Sequence, residues 1–180
     1  MKHPNLPETS EIMLRINEYG DIFSDFDIRP YSKRSLSFDF LEEVKRAALD
    51  KEEGGVELTL HAPEKAREES KETVIKERLV SHFRRHYHLL LKEKRRMLKI
   101  GWSMVVFGVI FMIVATMIIF EDPAHNLLLS FLVVFLEPAA WFLLWEGMDQ
   151  VIFSSKKNNS ELYFYRKMSD SRAQIHFKSY

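Results

Sequence analysis

This chain of 180 residues contains no cysteine. That excludes a disulfide framework, a thiol nucleophile and cysteine-ligated zinc, and it accords with a reducing compartment. It also has no lysine or arginine between Lys99 and Lys156. Overall, 26 basic side chains balance 26 acidic ones, so bulk charge selects no partner. Glycine and proline number six each, and neither occurs from Glu68 to Ile100, which leaves a long stretch without helix breakers. No Walker A loop, GxGxxG, nucleophile elbow, kinase signature or HExxH motif is present. The chain is therefore read as non-enzymatic, with no cofactor and no metal. Met1–Asn17 has no continuous apolar core, so no secretory signal peptide is expected there.

Inside the window free of Lys and Arg lie two long apolar runs. Ile100–Phe120 has no charge in 21 residues, and a second run extends from Leu127 to Trp145. A helix needs about 20 apolar residues to cross a bilayer core, and both runs suffice. KEKRRMLK (Lys92–Lys99) abuts the first run, SSKKNN (Ser154–Asn159) follows the second, and the connecting EDPAHN (Glu121–Asn126) has neither Lys nor Arg. Lys and Arg are retained on the cytoplasmic side. Both termini are therefore expected in the cytoplasm of a cell inner (plasma) membrane, with the acidic loop outside. Asp122-Pro123 is expected to turn the chain and Asn126 to cap the second helix. Trp102 and Trp145 fall near the inner boundary, where indoles prefer to sit.

The flanking parts read as a small α+β unit. Met1–Glu11, with Pro4 and Pro7, reads as a tail, and Glu11–Tyr19 as a short helix ended by Gly20. Asp21–Ile28 alternates imperfectly and is read as a strand ended by Arg29-Pro30. Phe38–Asp50 is expected to be a helix capped by Ser35 or Ser37, with Phe40, Leu41, Val44 and Ala48 on one face. After a turn at Gly54-Gly55, VELTLH (Val56–His61) alternates cleanly as a strand. From Glu68 a helical stripe of Ile75, Leu79, Phe83, Tyr87, Leu90, Leu91, Met97 and Leu98 leads straight into the first apolar run. One helix of roughly 75 Å would cover both segments. Glu161–Met168 reads as a short helix or turn. Arg172–Lys178 reads as a strand, which needs Val56–His61 as its partner because a lone strand is unstable in water.

The fold expected is thus a transmembrane helical hairpin of two helices with a small cytoplasmic α+β domain, the long helix being continuous into the first span. Its parts are a tail and short helix (1–20), an α+β segment (21–67) and a basic juxtamembrane helix (68–99). Then come transmembrane helix 1 (100–120), an external loop (121–126), transmembrane helix 2 (127–148), and a cytoplasmic C-terminal segment with a terminal strand (149–180).

Glu137 lies close to the middle of the second run, where an ionised carboxylate costs several kcal/mol. Pro138 follows it, and a proline there frees the carbonyl of Val134. The pair can coordinate a cation or relay a proton, or the carboxyl can be protonated and serve packing alone. Gly101, Gly108 and Ala115 recur every seven residues as a helix-packing face, either for the hairpin or for an oligomer. Glu146 and Asp149 are expected to pair with the 92–99 cluster, or else to form a cation-attracting vestibule in a ring of copies. His82 and His86 have the spacing of a metal-chelating pair. Arg84 and Arg85 beside them disfavour a cation, so the pair is read as solvated or facing headgroups. Lys92, Lys94, Arg95, Arg96 and Lys99 are placed to hold anionic lipid headgroups. Charge that hugs the bilayer requires no nucleic acid.

The order of parts resembles an uncharacterised family of small prokaryotic two-span membrane proteins. Its features here are the VELTL strand, the basic helix entering the membrane, the stretch WFLLWEGMDQVIF (Trp141–Phe153) and the aromatic segment Leu162–Phe177. The resemblance spans roughly 36–177 and implies architecture without an activity. The expected function is a homo-oligomer of hairpins acting as scaffold or assembly factor. A pore lined by Glu137 and an accessory subunit of a larger membrane complex are the alternatives.

Overall fold

The structure, a computed structural model, describes residues 10–49, 56–121, 126–154, 156, 159–169 and 174–180. Residues 1–9 of the expected Met1–Glu11 tail, the Gly54-Gly55 and Asp122-Pro123 turns, and Arg172 lie outside these residues, while Ser10 and Glu11 belong to a strand and not to a tail. The chain forms two compact units. One comprises residues 1–88 and 161–180, the other residues 89–160.

The first unit is organised by a three-stranded sheet in the order β1-β2-β3, with β1 at Ser10–Arg15, β2 at Val56–Ala62 and β3 at Gln174–Ser179. The expected partnership of the VELTLH strand with the C-terminal strand is present. Both pairings are parallel, so the winding is of the βαβ kind. Register places Ile12, Leu58 and Ile175 in one row and Leu14, Leu60 and Phe177 in the next. These rows form the apolar face, where Ile12, Leu58, Leu60 and Phe177 are buried. The opposite face carries Glu11, Met13 and Arg15 beside Glu57, Thr59 and His61. The buried Thr59 hydroxyl donates to Glu11 Oε1 at 2.8 Å, and Lys178 Nζ donates to the same oxygen at 2.9 Å.

Two expectations at the N-terminal end are corrected. Glu11–Tyr19 is not a helix: Ser10–Arg15 is β1, and Tyr19–Ile22 is one turn of 3₁₀ helix. Asp21–Ile28 is not a strand, since Phe23 makes a single antiparallel bridge to Leu36. Glu, Met and Leu in SEIMLR favour a helix locally, but pairing with β2 and burial of Ile12 outweigh that preference.

Helix α1 (Phe38–Leu49) buries Phe40, Val44 and Ala48, three of the four residues expected on its inner face. Its first backbone bond runs from the Leu41 amide to the Ser37 carbonyl at 3.2 Å. Helix α2 (Glu69–Glu121) is a single helix of 53 residues, roughly 80 Å long. It buries Ile75, Leu79 and Phe83 completely. Phe83 meets Phe164 edge-on at 5.9 Å between ring centroids, joining α2 to helix α4 (Asn159–Ser169). Near the start of α2 the Glu72 carboxylate is buried and fully engaged. Arg67 grips both of its oxygens at 2.9 and 3.0 Å, and the Tyr19 hydroxyl donates at 2.9 Å. The Glu68 amide in turn donates to the Tyr19 oxygen at 2.9 Å. Arg67 holds the Glu72 carboxyl below the usual carboxylate range.

The second unit contains the rest of α2, helix α3 (Leu127–Asp149) and a π-helical turn at Gln150–Ser154. Asn126 caps α3 as expected, its side chain accepting the Leu128 amide at 3.1 Å. Both long helices are long and apolar enough to cross a membrane, and only 11% of the most apolar window of each is buried. The core helix of a water-soluble protein would be mostly covered, whereas most of these two apolar windows is exposed.

Glu72 closes a buried node, and its removal leaves Arg67 and Tyr19 without their shared acceptor. Glu72→Ala is expected to destabilise the first unit by about 3 kcal/mol, and Glu72→Gln by less. Denaturant titration followed by limited proteolysis measures this, and equal effects of the two variants would contradict the node.

Candidate functional site

The small-residue face expected on the first apolar run is a seam between α2 and α3. Gly101, Gly108 and Ala115 are all buried. Leu136, Ala140 and Gly147 are the buried residues of α3. A Cβ placed on Gly108 would lie 2.9 Å from Leu144 Cγ and 3.1 Å from the Ala140 carbonyl oxygen. One on Gly147 would lie 2.8 Å from the Gly101 carbonyl oxygen and 3.0 Å from the Val105 amide nitrogen. Hydrogen in place of a side chain therefore brings the two backbones together, the recurrent device of membrane helix pairs. The face serves the hairpin of this chain. Sequence reasoning missed Gly147, although its seven-residue spacing from Ala140 mirrors that of Gly101 and Gly108.

Glu137 and Pro138 are exposed and lie off the line of the buried Leu136, Ala140 and Gly147 of α3. With Val134 and Trp141 they line a shallow groove on the outer surface of the helix. Among the described residues, no side chain or amide hydrogen-bonds the Glu137 carboxyl. Pro138 has no N–H to offer the Val134 carbonyl. A carboxyl group and a released carbonyl oxygen thus stand close together in an otherwise apolar surface. Chemically this pair is an acceptor set, suited to a cation, a proton or a donor from another helix.

The charged groups near the ends of the apolar helices are arranged differently from the expected cross-hairpin pairs. Glu146 accepts from the Gln150 side chain at 3.3 Å, and among the described residues neither Glu146 nor Asp149 pairs with the 92–99 cluster. Lys94 Nζ instead donates to Asn159 Oδ1 at 2.7 Å. Lys92, Arg95, Arg96 and Lys99 are exposed.

His82 and His86 are not a solvated pair. Their rings lie 4.2 Å apart, and His86 stacks on Tyr165 of α4 at 5.2 Å. His82 Nε2 is buried and has no hydrogen-bond partner. Burial first, then the charge of His86 and of Arg78 and Arg85, pushes the His82 pKa down to about 4. Burial and Arg85 also lower that of His86, against the opposing pull of Glu161. Among the described residues no three His, Cys, Asp or Glu groups converge as a metal site. The pair is an aromatic wedge between α2 and α4.

A polar cleft that sequence reasoning did not find lies beyond the carboxyl ends of β2 and β3. Arg67, Glu72, Lys76, His176 and Ser179 contribute to its lining. Arg67 Nη1 donates to Ser179 Oγ at 2.9 Å, and Arg67 also holds Glu72, so much of the cleft's polar capacity is used internally. The sheet order 1-2-3 contains no reversal, the feature that opens a ligand crevice in larger parallel sheets.

Two outcomes follow. Gly147→Ala should weaken the hairpin more than Gly108→Ala, because the first meets backbone at 2.8 Å and the second meets the Leu144 side chain at 2.9 Å and backbone only at 3.1 Å. Overpacking of this sort costs about 1–3 kcal/mol, read as thermal stability in detergent, and the reverse order would contradict the seam. For His82 the folded pKa lies below the unfolded value. Its neutral form therefore supports packing fully above pH 6.5, and that support is lost as pH falls towards 4. His82→Phe should flatten the stability-versus-pH curve of the first unit across that window, while an unchanged slope would remove His82 as its cause.

Compared with known proteins, this chain matches no family model, no curated protein and no solved structure.

Proposed function

We propose that this chain is an integral protein of the cell inner (plasma) membrane, a hairpin of two transmembrane helices with both termini in the cytoplasm. In this reading several copies assemble through their hairpins into a scaffold or assembly platform that presents the cytoplasmic sheet units. The orientation is supported by the Lys and Arg distribution, with five basic residues in 92–99 and none in the 121–126 connection. It is supported also by chain connectivity. The apolar pair lies between β2 and β3, which are adjacent strands of one sheet. Two crossings return the chain to the side it left, as that pairing requires.

The observation that carries self-assembly is the outward position of Glu137. The small residues of both helices are used within the hairpin, and Glu137 with Pro138 remains on the outer surface. A polar group at mid-membrane depth facing lipid is costly, and a neighbouring hairpin covers it. A pore is the second reading, favoured by the same carboxyl beside the released Val134 carbonyl, which would line a conduit in a ring of copies.

Native mass in mild detergent and in nanodiscs tests the proposal. The wild type is expected to be oligomeric, Glu137→Gln to assemble normally, and Glu137→Leu to weaken assembly by about 1–2 kcal/mol, the scale of a membrane hydrogen bond. Ion flux in liposomes that is lost in Glu137→Gln would establish the pore. A wild type that stays monomeric throughout would defeat assembly and leave an accessory subunit of a larger complex.

A further inference from the structure

Strand β1 is an edge of the sheet, with β2 on one side and, among the described residues, no strand on the other. The Ile16 amide donates to the His61 carbonyl at 2.8 Å, which sets the phase of the ladder. Successive residues of a strand turn their amides and carbonyls to opposite sides. Ser10, Ile12 and Leu14 therefore bond towards β2, and Glu11, Met13 and Arg15 turn their backbone groups to the open edge. Among the described residues nothing hydrogen-bonds those outward amides and carbonyls. The side chains of the same three residues stand on the polar face of the sheet, and Met13 between the two charges is 62% exposed. Glu11 Oε1 receives both the Thr59 hydroxyl and Lys178 Nζ, and Oε2 has no partner among the described residues. The Arg15 guanidinium lies 4.1 Å from the Tyr180 ring centre, and among the described residues its N–H groups reach no acceptor. An unpaired edge of this kind is a template for another strand.

We infer that β1 pairs antiparallel with β1 of a second copy about a two-fold axis at Met13, joining the two sheets edge to edge. The residues select this register. Met13 faces Met13 of the second copy, Glu11 faces its Arg15, and Arg15 faces its Glu11. Facing pairs of outward residues exchange both backbone bonds, so every outward amide and carbonyl of both strands finds a partner. On the polar face, two opposite-charge pairs flank the methionines. On the other face, Ile12 and Leu14 lie opposite Leu14 and Ile12 of the second copy, and the apolar rows continue across the junction. An axis at Glu11 or at Arg15 sets like charges opposite each other and leaves backbone groups unbonded. The other edge offers no such match, because QIHFKS of β3 has no acidic residue to meet Lys178. Pairing about a two-fold is closed, so it covers both open edges and stops at two copies. It involves the first unit alone, and it adds to the hairpin assembly proposed above a contact that does not depend on it.

Because the chain has no cysteine, Met13→Cys supplies a single thiol. In the paired strands the two Cα atoms at position 13 lie about 5.5 Å apart, within disulfide reach. The full-length Met13→Cys chain in mild detergent, oxidised with copper phenanthroline, is expected to cross-link as a dimer, and Gln174→Cys, exposed on β3, is expected not to. Adding Glu11→Lys or Arg15→Glu to Met13→Cys should slow cross-linking about tenfold, since each sets like charges opposite at both ends of the pair. Mixing these two charge variants under different tags should restore the rate to within about twofold in the mixed dimer, where the introduced lysine meets the introduced glutamate and the native Arg15 meets the native Glu11. Rescue by mixing excludes misfolding of the variants as the cause of the loss. No cross-link at position 13 overturns the pairing, whether solvent or another protein then covers the edge. Cross-linking at 174 as fast as at 13 overturns it in favour of stacked polar faces. Cross-linking at 13 that ignores the charge changes and disappears with Glu137→Leu overturns it and leaves hairpin assembly standing. Charge-sensitive cross-linking that survives Glu137→Leu upholds the pairing whatever the fate of the hairpin assembly.

Discussion

The central strand β2 is the constraint on which the rest of the molecule depends. It pairs along its length with β1 on one side and β3 on the other, and all three strands run parallel. Parallel neighbours cannot be joined by a tight turn and need a crossover. The first crossover contains α1. The second contains α2, α3 and α4, so the whole apolar hairpin is an insertion within a strand-to-strand connection. A path that begins and ends in adjacent parallel strands must return to where it started, and a hairpin of two long helices does so. The same requirement explains how a C-terminal strand of six residues is held: β2 supplies its ladder and the apolar row supplies its burial.

Within the hairpin, close approach and polarity are placed on different sides of α3. Gly101, Gly108 and Gly147 remove side chains where the backbones meet, with Ala115 and Ala140 continuing the seam. Apolar helices in lipid gain little from simple hydrophobic burial against each other, so packing depends on such close contact. A carboxyl group on the seam would hold the backbones apart. Glu137 and Pro138 instead interrupt the exposed apolar surface of the helix. The π-helical turn after α3 continues the accommodation. Val151 lies against Gly101, its Cγ2 2.8 Å from where a Cβ would be.

Much of this was legible in the residues, and the failures have specific causes. The long helix is visible because nothing breaks it between Glu68 and Gly101, and its stripe of Ile75, Leu79 and Phe83 is the part that the structure buries completely. Strand β2 is visible because VELTLH alternates and is rich in strand formers. Strand β1 was misread because SEIMLR has helical propensity, and only its ladder to β2 makes it extended. The histidine pair was misread because two arginines beside it suggest solvent. A helix presents successive residues to different surroundings, and α4 covers one face of α2 through Phe164 and Tyr165. Gly147 and the polar cleft were missed because each depends on a partner distant along the chain.

Local chemistry along the chain determined the two apolar helices, their cap at Asn126, the charge asymmetry about them and the small-residue face on α2. These features need only hydropathy, helical periodicity and the bonding capacity of a single side chain. Tertiary structure alone decided that the strands are parallel, that the small-residue face is used within the chain, that Glu137 is exposed off that seam, and that His82 Nε2 is buried. Each of these depends on which distant segment lies opposite, a choice made by pairing and packing across the fold and not by any local run of residues.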